Sequence, residues 1–427
     1  MNNEKQNGSP ILLISNSSWY LNHYRKLLIQ DLIKSKNHVV SFSPVDSSTQ
    51  DLQKLTSIHI QWNLQRRNNF NLFYLIKSFI ELYFVIKIIK PKIIHSHTLK
   101  ANLLTSLIAS FMGIKTILSF AGLGRLSKKG KLNKFFLVLI IKLIDFFSSI
   151  ERVKKFKWSL NKKRVKLIFQ NPNDKNFYEK NSNLSIKTNN ILILGSGVPM
   201  QYFDKGKSKE VNFISWINKD PQDLVKIEFI YCARLLKSKG ILIFKKLANL
   251  IKENKFTVFG DIDISSPDSI SKNDIKIFEK ENSNLKFKGS IDDPLINYKF
   301  KRLPILIVPS NYGEGLSRSI VEGLSQGIPI ICSESVAANL FDKNIVYISR
   351  SNNIIDYFNC YENILKDHIN GKLKNRLYKG IQIAKNFFSE KIIVDKTLEI
   401  YNDLEIIDHN SYLLKKGKNK KNNWVSY

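Results

Sequence analysis

Cysteine is scarce: Cys232, Cys332 and Cys360 are the only three in 427 residues, and none stands in CxxC spacing. That excludes a disulfide scaffold and a structural zinc site, and it fits a reducing compartment. Long apolar runs are missing as well. The longest, Phe135 to Ile141, is seven residues and ends at Lys142, against the ~20 residues that a bilayer-spanning helix needs. The polar start, 1–10, followed only by the short apolar run 11–14, lacks the h-region of a signal peptide. The reading is a soluble or peripheral protein. Acidic side chains are few, 36 Asp and Glu against 67 Lys and Arg, for a net charge of +31. Zinc-finger and RNP motifs are absent, and the aromatics sit in apolar runs instead of alternating with basic residues. Nucleic-acid binding is therefore disfavoured despite the charge.

What is present is enough for two or three folded domains, with 43% hydrophobic and 24% charged residues. The charge is lopsided. Residues 1–200 carry 31 basic and nine acidic side chains, and 115–170 holds fifteen Lys and Arg against Asp145 and Glu151. Such a field attracts anions: an acidic membrane surface or phosphorylated substrates. The competing explanation is a coding bias, since Lys, Asn and Ile are abundant together.

Short apolar runs alternate with longer helical patterns. In the first half, strands are expected at 11–15, 38–42, 93–97, 116–120, 166–169 and 191–194, with helices at 21–33, 72–89, 101–112 and 131–147. The second half repeats the scheme. Strands are expected at 227–231, 256–259, 285–287, 303–308, 329–332 and 345–348, helices at 241–253 and 318–325, and helical residues on to about 407. Alternation of this kind predicts parallel βαβ units. The expected organisation is a first lobe over 1–204, a polar linker at 205–221, a second lobe over 222–410 and a basic tail at 411–427. Two doubly wound lobes would hold a ligand in the cleft at the carboxyl ends of their strands.

The most informative segment runs from Leu303 to Ile330: a buried strand, a small-residue loop with Glu314, a helix and another buried strand. Gly315, Leu316 and Ser317 open the helix, where backbone N–H groups are left to hold phosphate oxygens. Glu322 stands eight positions after Glu314 and one turn beyond Arg318. Two carboxylates so placed can accept from sugar hydroxyls. A second cluster, Tyr231-Cys-Ala-Arg-Leu-Leu-Lys-Ser-Lys-Gly240, puts Arg234 and Lys239 between a strand and a helix, where two cations would neutralise a diphosphate. Either pattern alone describes a solvated loop or helix face. Their order, each after a strand, favours a site.

These motifs resemble glycosyltransferase family 4, retaining enzymes of the GT-B fold: α/β, with two facing Rossmann-like doubly wound domains. The resemblance rests on Gly195-Ser-Gly-Val198, Ala233 to Gly240, Phe259-Gly-Asp261, Phe287-Lys-Gly-Ser290 and Pro309 to Pro329 with its E-x7-E. Trp19 to Arg25, Ile94-His-Ser-His97, Phe120-Ala-Gly-Leu-Gly-Arg125 and Phe169-Gln-Asn-Pro172 resemble the bacterial subgroup that adds sugars to lipid-diphosphate-linked precursors of surface polysaccharide or glycan. The resemblance implies transfer of a hexose or N-acetylhexosamine from a nucleotide diphosphate sugar, UDP-linked first of all, to a polyprenyl-diphosphate-linked acceptor. A soluble acceptor, or a nucleotide-sugar epimerase on the same architecture, is the alternative. By the same resemblance Arg234 and Lys239 hold the donor diphosphate, Glu322 the ribose and Glu314 the transferred sugar, while Gly315, Leu316 and Ser317 offer amides and Arg318 stands beside them. No metal or other cofactor is expected. The chain departs from the family in the first loop, where Asn16-Ser-Ser18 replaces a glycine pair, and at Phe120-Ala121, where many members carry a histidine.

Candidates on the acceptor side are His23, Arg25, Gly122, Gly124 and His97. His95 and His97 read either as structural histidines or as cleft residues. The helix 131–147, with Lys128, Lys129, Lys131, Lys134 and Lys154 to Lys157 around Phe135, Phe136, Leu139, Phe146 and Phe147, reads as a basic amphipathic stretch for an anionic membrane surface. A cytoplasmic protein, peripheral on the inner face of the plasma membrane, is the expected location.

Overall fold

The computed structural model describes residues 9–64, 72–123, 130–154, 157–160, 164–183, 189–203, 220, 226–264, 266–311, 316–337, 341 and 343–404. It has two parallel α/β lobes. The first sheet contains β1 (Ile11–Ile14), β2 (Val39–Ser43), β3 (Ile58–Gln61), β4 (Ile93–His97), β5 (Lys115–Phe120), β8 (Val165–Phe169) and β9 (Asn190–Leu192), in the order β3-β2-β1-β4-β5-β8-β9. An antiparallel hairpin, β6 (Ile150–Lys154) and β7 (Lys157–Leu160), stands apart from it. The second sheet contains β10 (Ile227–Cys232), β11 (Lys255–Phe259), β12 (Leu285–Phe287), β13 (Leu303–Val308), β14 (Ile330–Ser333) and β15 (Tyr347–Ser349), in the order β12-β11-β10-β13-β14-β15. Strand order reverses between β1 and β4 in one lobe and between β10 and β13 in the other. In doubly wound sheets those reversals open crevices at the carboxyl ends.

The central strands form because they are short apolar runs that bury both faces, as parallel strands under helices must: β1 and β13 are buried throughout. The helix expected at 21–33 is two helices, Ser18–Tyr24 and Lys26–Lys34, broken at Arg25. The first begins early because the Ser17 side chain accepts from the Tyr20 N–H. The edge strand β3 and the hairpin were not legible as apolar runs. β3 alternates and is half exposed.

The last helix, Glu390–Asp403, leaves the second lobe and packs on the first. Its Ile393, Val394, Leu398 and Tyr401 share a core with Leu28, Ile29 and Leu32. The boundary expected at 410 therefore does not follow the packing. The expected linker, apart from Asp220, and the expected tail lie outside the described residues. The crossing is pinned where Val198 N–H donates to Phe388 O and Glu390 N–H to Val198 O. A Cβ at Gly197, whose φ is +79°, would stand 2.6 Å from Glu390 Cα, so this approach requires glycine.

Candidate functional site

At the crevice of the second lobe the site assembles from two chain segments. After β10 the backbone turns through Ala233 and Arg234 into a short 3-10 turn, Lys237–Lys239. Gly240 ends that turn at φ +83°, and a Cβ there would lie 2.2 Å from Pro309 O. Asn311 N–H also donates to Ser238 O at 2.8 Å. The cation-bearing turn is thus fastened to the end of β13. On the other side, a Cβ at Gly260 would lie 1.9 Å from Ala233 O, so β11 closes against the same turn. Arg234 is half exposed, with Nη1 donating to Asp263 Oδ2 at 2.8 Å.

The helix Arg318–Ser325 starts after β13. Its Ser317 N-cap makes no side-chain cap, so the first-turn N–H groups are not taken up by that hydroxyl, which pairs with Ser319 Oγ at 3.0 Å. Leu316 lies against the Gly195 turn, where a Cβ would approach its Cδ2 to 2.6 Å. Arg318 Nε donates to Glu322 Oε1 at 2.6 Å, and its Nη2 lies 3.8 Å from Asp293 Oδ1. Tyr202 Oη donates to Asp293 Oδ1 at 3.0 Å. Glu322 is 8% exposed. Burial pushes its carboxyl above the usual carboxylate range, and the Arg318 guanidinium opposes that shift. The Arg318 guanidinium also sits over the Tyr24 ring of the first lobe, 5.1 Å from its centroid. Sequence reasoning missed Tyr202, Asp293 and Tyr24. Tyr24 lies within the Trp19 to Arg25 motif without being singled out there, and nothing in the local pattern of Tyr202 or Asp293 marks them, since they reach the site from separate segments. Glu314 and Gly315 lie outside the described residues.

On the first lobe, β1 and β4 end side by side, with Ile14 opposite Ser96. His23 lies in the last turn of the first helix and Arg25 caps its end, whereas the helix expected at 21–33 would have put both near its start. His23 stacks on Trp19 at 4.5 Å and contacts Trp19 O at 3.0 Å. Arg25 is buried, donating to Tyr20 Oη at 3.1 Å and Tyr24 O at 2.9 Å. The two strand histidines differ. His95 is satisfied, its ring nitrogens 2.9 Å from Tyr401 Oη and 2.8 Å from Ser119 Oγ. His97 is fully buried with both ring nitrogens unpartnered, its ring 4.2 Å from that of His95 and 5.4 Å from that of Tyr20. Burial holds both histidines well below the usual imidazole value, with Arg25 adding to it. Thr98 has φ +80°, a strained conformation for a β-branched residue that costs about 1–3 kcal/mol and tends to persist at functional sites. Gly122, at φ +131°, follows β5. Gly124 lies outside the described residues.

Two lobes of this topology, with a cation turn and a helix start at the second reversal, define a GT-B architecture. Comparison with known proteins agrees. Residues 10–180 match a glycosyl transferase 4-like family model, and residues 226–367 match a model for glycosyl transferases group 1. The chain belongs to these glycosyltransferases. It is similar to an Escherichia coli protein named UDP-Gal:alpha-D-GlcNAc-diphosphoundecaprenol alpha-1,3-galactosyltransferase, 25% identical over 352 residues that cover 77% of this chain and 80% of that one. Among solved structures it resembles sucrose-phosphate synthase from Thermosynechococcus elongatus (TM-score 0.71, 16% identity, 93% and 99% of the two chains). It also resembles Anabaena HepE in complex with UDP (TM-score 0.66, 13% identity, 92% and 99%).

Proposed function

We propose that this glycosyltransferase takes a hexose or N-acetylhexosamine from a UDP-sugar and transfers it, with retention, to a polyprenyl-diphosphate-linked acceptor. The observation that carries the reading is the fastening of the Arg234 and Lys239 turn to the end of β13, the strand that the Ser317–Arg318 helix start follows in the chain. Two cations and a set of N–H groups at one strand reversal suit a diphosphate. As the glycosidic bond to the donor breaks, negative charge builds on the leaving diphosphate. Preorganised donors at that position stabilise it, which is usually the largest catalytic contribution. In this reading Arg234 and Lys239 take the phosphates, with amides of Gly315, Leu316 and Ser317. Glu322 takes the ribose, held in place by Arg318, and Glu314 the transferred sugar. The acceptor hydroxyl attacks from the face the diphosphate leaves, so no enzyme nucleophile is assigned.

The acceptor class is supported by the Escherichia coli relative, whose name carries both UDP-galactose and a diphosphoundecaprenol-linked sugar. His23, Arg25, Gly122, Gly124 and His97 form the acceptor side of the cleft in this reading. An anionic membrane surface on the cytoplasmic side then receives the Gly130–Ser149 helix. Described residues include no helix long and apolar enough to cross a membrane.

The test is a thermal-shift screen of nucleotides and nucleotide sugars, then transfer from the stabilising donor to a polyprenyl-diphosphate N-acetylhexosamine. A ligand bound only by the folded state raises stability by RT ln(1+[L]/Kd). UDP and one UDP-sugar should stabilise, with UDP-galactose the first to try. Stabilisation by no uridine nucleotide, or hydrolysis with no transfer to the lipid, refutes the reading.

A further inference from the structure

The helix Leu72–Ile89 has the sequence of a core helix, yet much of it faces outward. Phe73 is 70% exposed and Ile88 75%, and Ile76, Ile80 and Phe84 between them are each about half exposed. At 100° per residue these five fall on one stripe, opposite the buried Leu82. Exposed Lys77 and Lys87 lie within the same stripe. The one acidic residue of this helix, Glu81, is held at its edge by the N–H and the amide of Asn63.

The helix Gly130–Ser149 carries a second stripe of the same make. Leu132 is 68% exposed and Phe135 63%, with Phe136, Leu139, Leu143 and Phe146 also exposed and Lys142 among them. Between the two runs the helix Leu99–Met112, packed against both, which shows Phe111 on its outer row. All three helices cover one face of the first sheet: Leu82, Ile86 and Leu104 pack on it near β1, β2 and β4, and Leu137 and Ile141 near β5 and β8. Packed helices lie 8–10 Å apart, so the stripes run roughly 20 Å from one another. The helix Leu72–Ile89 leads down into the amino end of β4, so its first turn, with Phe73 and Ile76, lies at the end of the lobe where the β1–β4 crevice opens.

Exposed apolar area of this extent marks an interaction surface. A second copy of the chain is a poor occupant, because a two-fold contact would set the same lysines against themselves in the half of the chain that holds 31 basic and nine acidic residues. An anionic bilayer complements both the apolar rows and the lysines. We propose that Leu72–Ile89 and Gly130–Ser149 together form a two-rail docking face for the surface of an anionic membrane, with the crevice at its rim. The inference deepens the lipid-linked acceptor reading and rests on it for the choice of membrane.

The test uses the full chain with vesicles of phosphatidylglycerol and phosphatidylcholine, read by co-sedimentation, and two triple variants. One is Phe73→Glu with Ile80→Glu and Phe84→Glu. The other is Phe135→Glu with Phe136→Glu and Leu139→Glu. All six positions are exposed, so melting should stay at the wild-type temperature. Each triple variant should lower partition onto phosphatidylglycerol vesicles at least tenfold. Both should keep wild-type transfer to a short-chain, water-soluble acceptor diphosphate. Wild-type partition by the first variant overturns the proposal. So does a wild-type dimer in light scattering that either variant dissociates. Transfer is scored separately: vesicle binding without any transfer to a lipid diphosphate refutes the acceptor reading and leaves the docking face standing.

Discussion

Replacing Arg318 by Met removes the cation from a buried carboxylate cluster, and the structure sets the size of the effect. Arg318 Nε is 2.6 Å from Glu322, its Nη2 3.8 Å from Asp293, and its guanidinium covers the Tyr24 ring. Met keeps much of the stem packing but leaves Glu322, 8% exposed, with no counter-charge. Breaking one end of a buried pair costs about 3–5 kcal/mol. At about 2–4 °C per kcal/mol for a lobe of this size, melting at pH 7.5 should fall by about 6–20 °C. The sign with pH follows from the carboxyl. Burial already raises the Glu322 pKa above its ordinary 4.5, and loss of Arg318 raises it further. A raised acid binds its proton in the folded state before the unfolded one. The gap between variant and wild type should therefore narrow as pH falls toward 5. The double variant Arg318→Met with Glu322→Met should regain most of the loss. Differential scanning calorimetry at pH 7.5 and 5.5 measures all of this. A single variant within 2 °C of wild type, or a gap that widens at pH 5.5, refutes the reasoning.

Three further outcomes are expected. Arg234→Ala should lower turnover by about 10²–10³, as for loss of one oxyanion-type donor, while melting barely moves, since the exposed pair with Asp263 is worth at most about 1 kcal/mol; steady-state rates beside melting curves check both. Gly240→Ala forces a left-handed φ of +83° on a residue whose Cβ would meet Pro309 O, so it should destabilise by at least about 1–2 kcal/mol and weaken UDP binding through the displaced turn, as denaturant titration and calorimetry would show. Burial holds His95 and His97 neutral in the fold, with pKa values well below the usual imidazole range. The unfolded chain therefore takes up protons first, and stability should fall as pH drops below about 6.5. His97→Phe should flatten the fall, and a wild-type melting temperature constant from pH 7.5 to 5.5 would contradict this.

Most of the second lobe was legible in the sequence, because parallel core strands such as Leu303–Val308 are unbroken apolar runs closed by proline or glycine. Arg234 and Lys239 could be singled out as candidates because they fall between the end of β10 and the next helix, and Glu322 because it stands eight positions after Glu314 between two core strands. What the sequence concealed depends on tertiary contact. Tyr202 and Asp293 meet Arg318 from distant segments, and Tyr24 meets it from the other lobe. The helix Glu390–Asp403 has an ordinary amphipathic pattern that does not say which lobe it serves. The helix Leu72–Ile89 was located to the residue, but an all-round apolar sequence gives no sign of which side stays uncovered.

In the proposed function a donor diphosphate is held by the Arg234–Lys239 turn and the start of the Arg318–Ser325 helix. Titration calorimetry of UDP against wild type, Arg234→Ala and Lys239→Ala tests it most directly. Each charged contact is worth about 1.5–3 kcal/mol, so each variant should weaken binding about tenfold to a hundredfold with melting unchanged. Equal affinity in all three proteins would contradict the account.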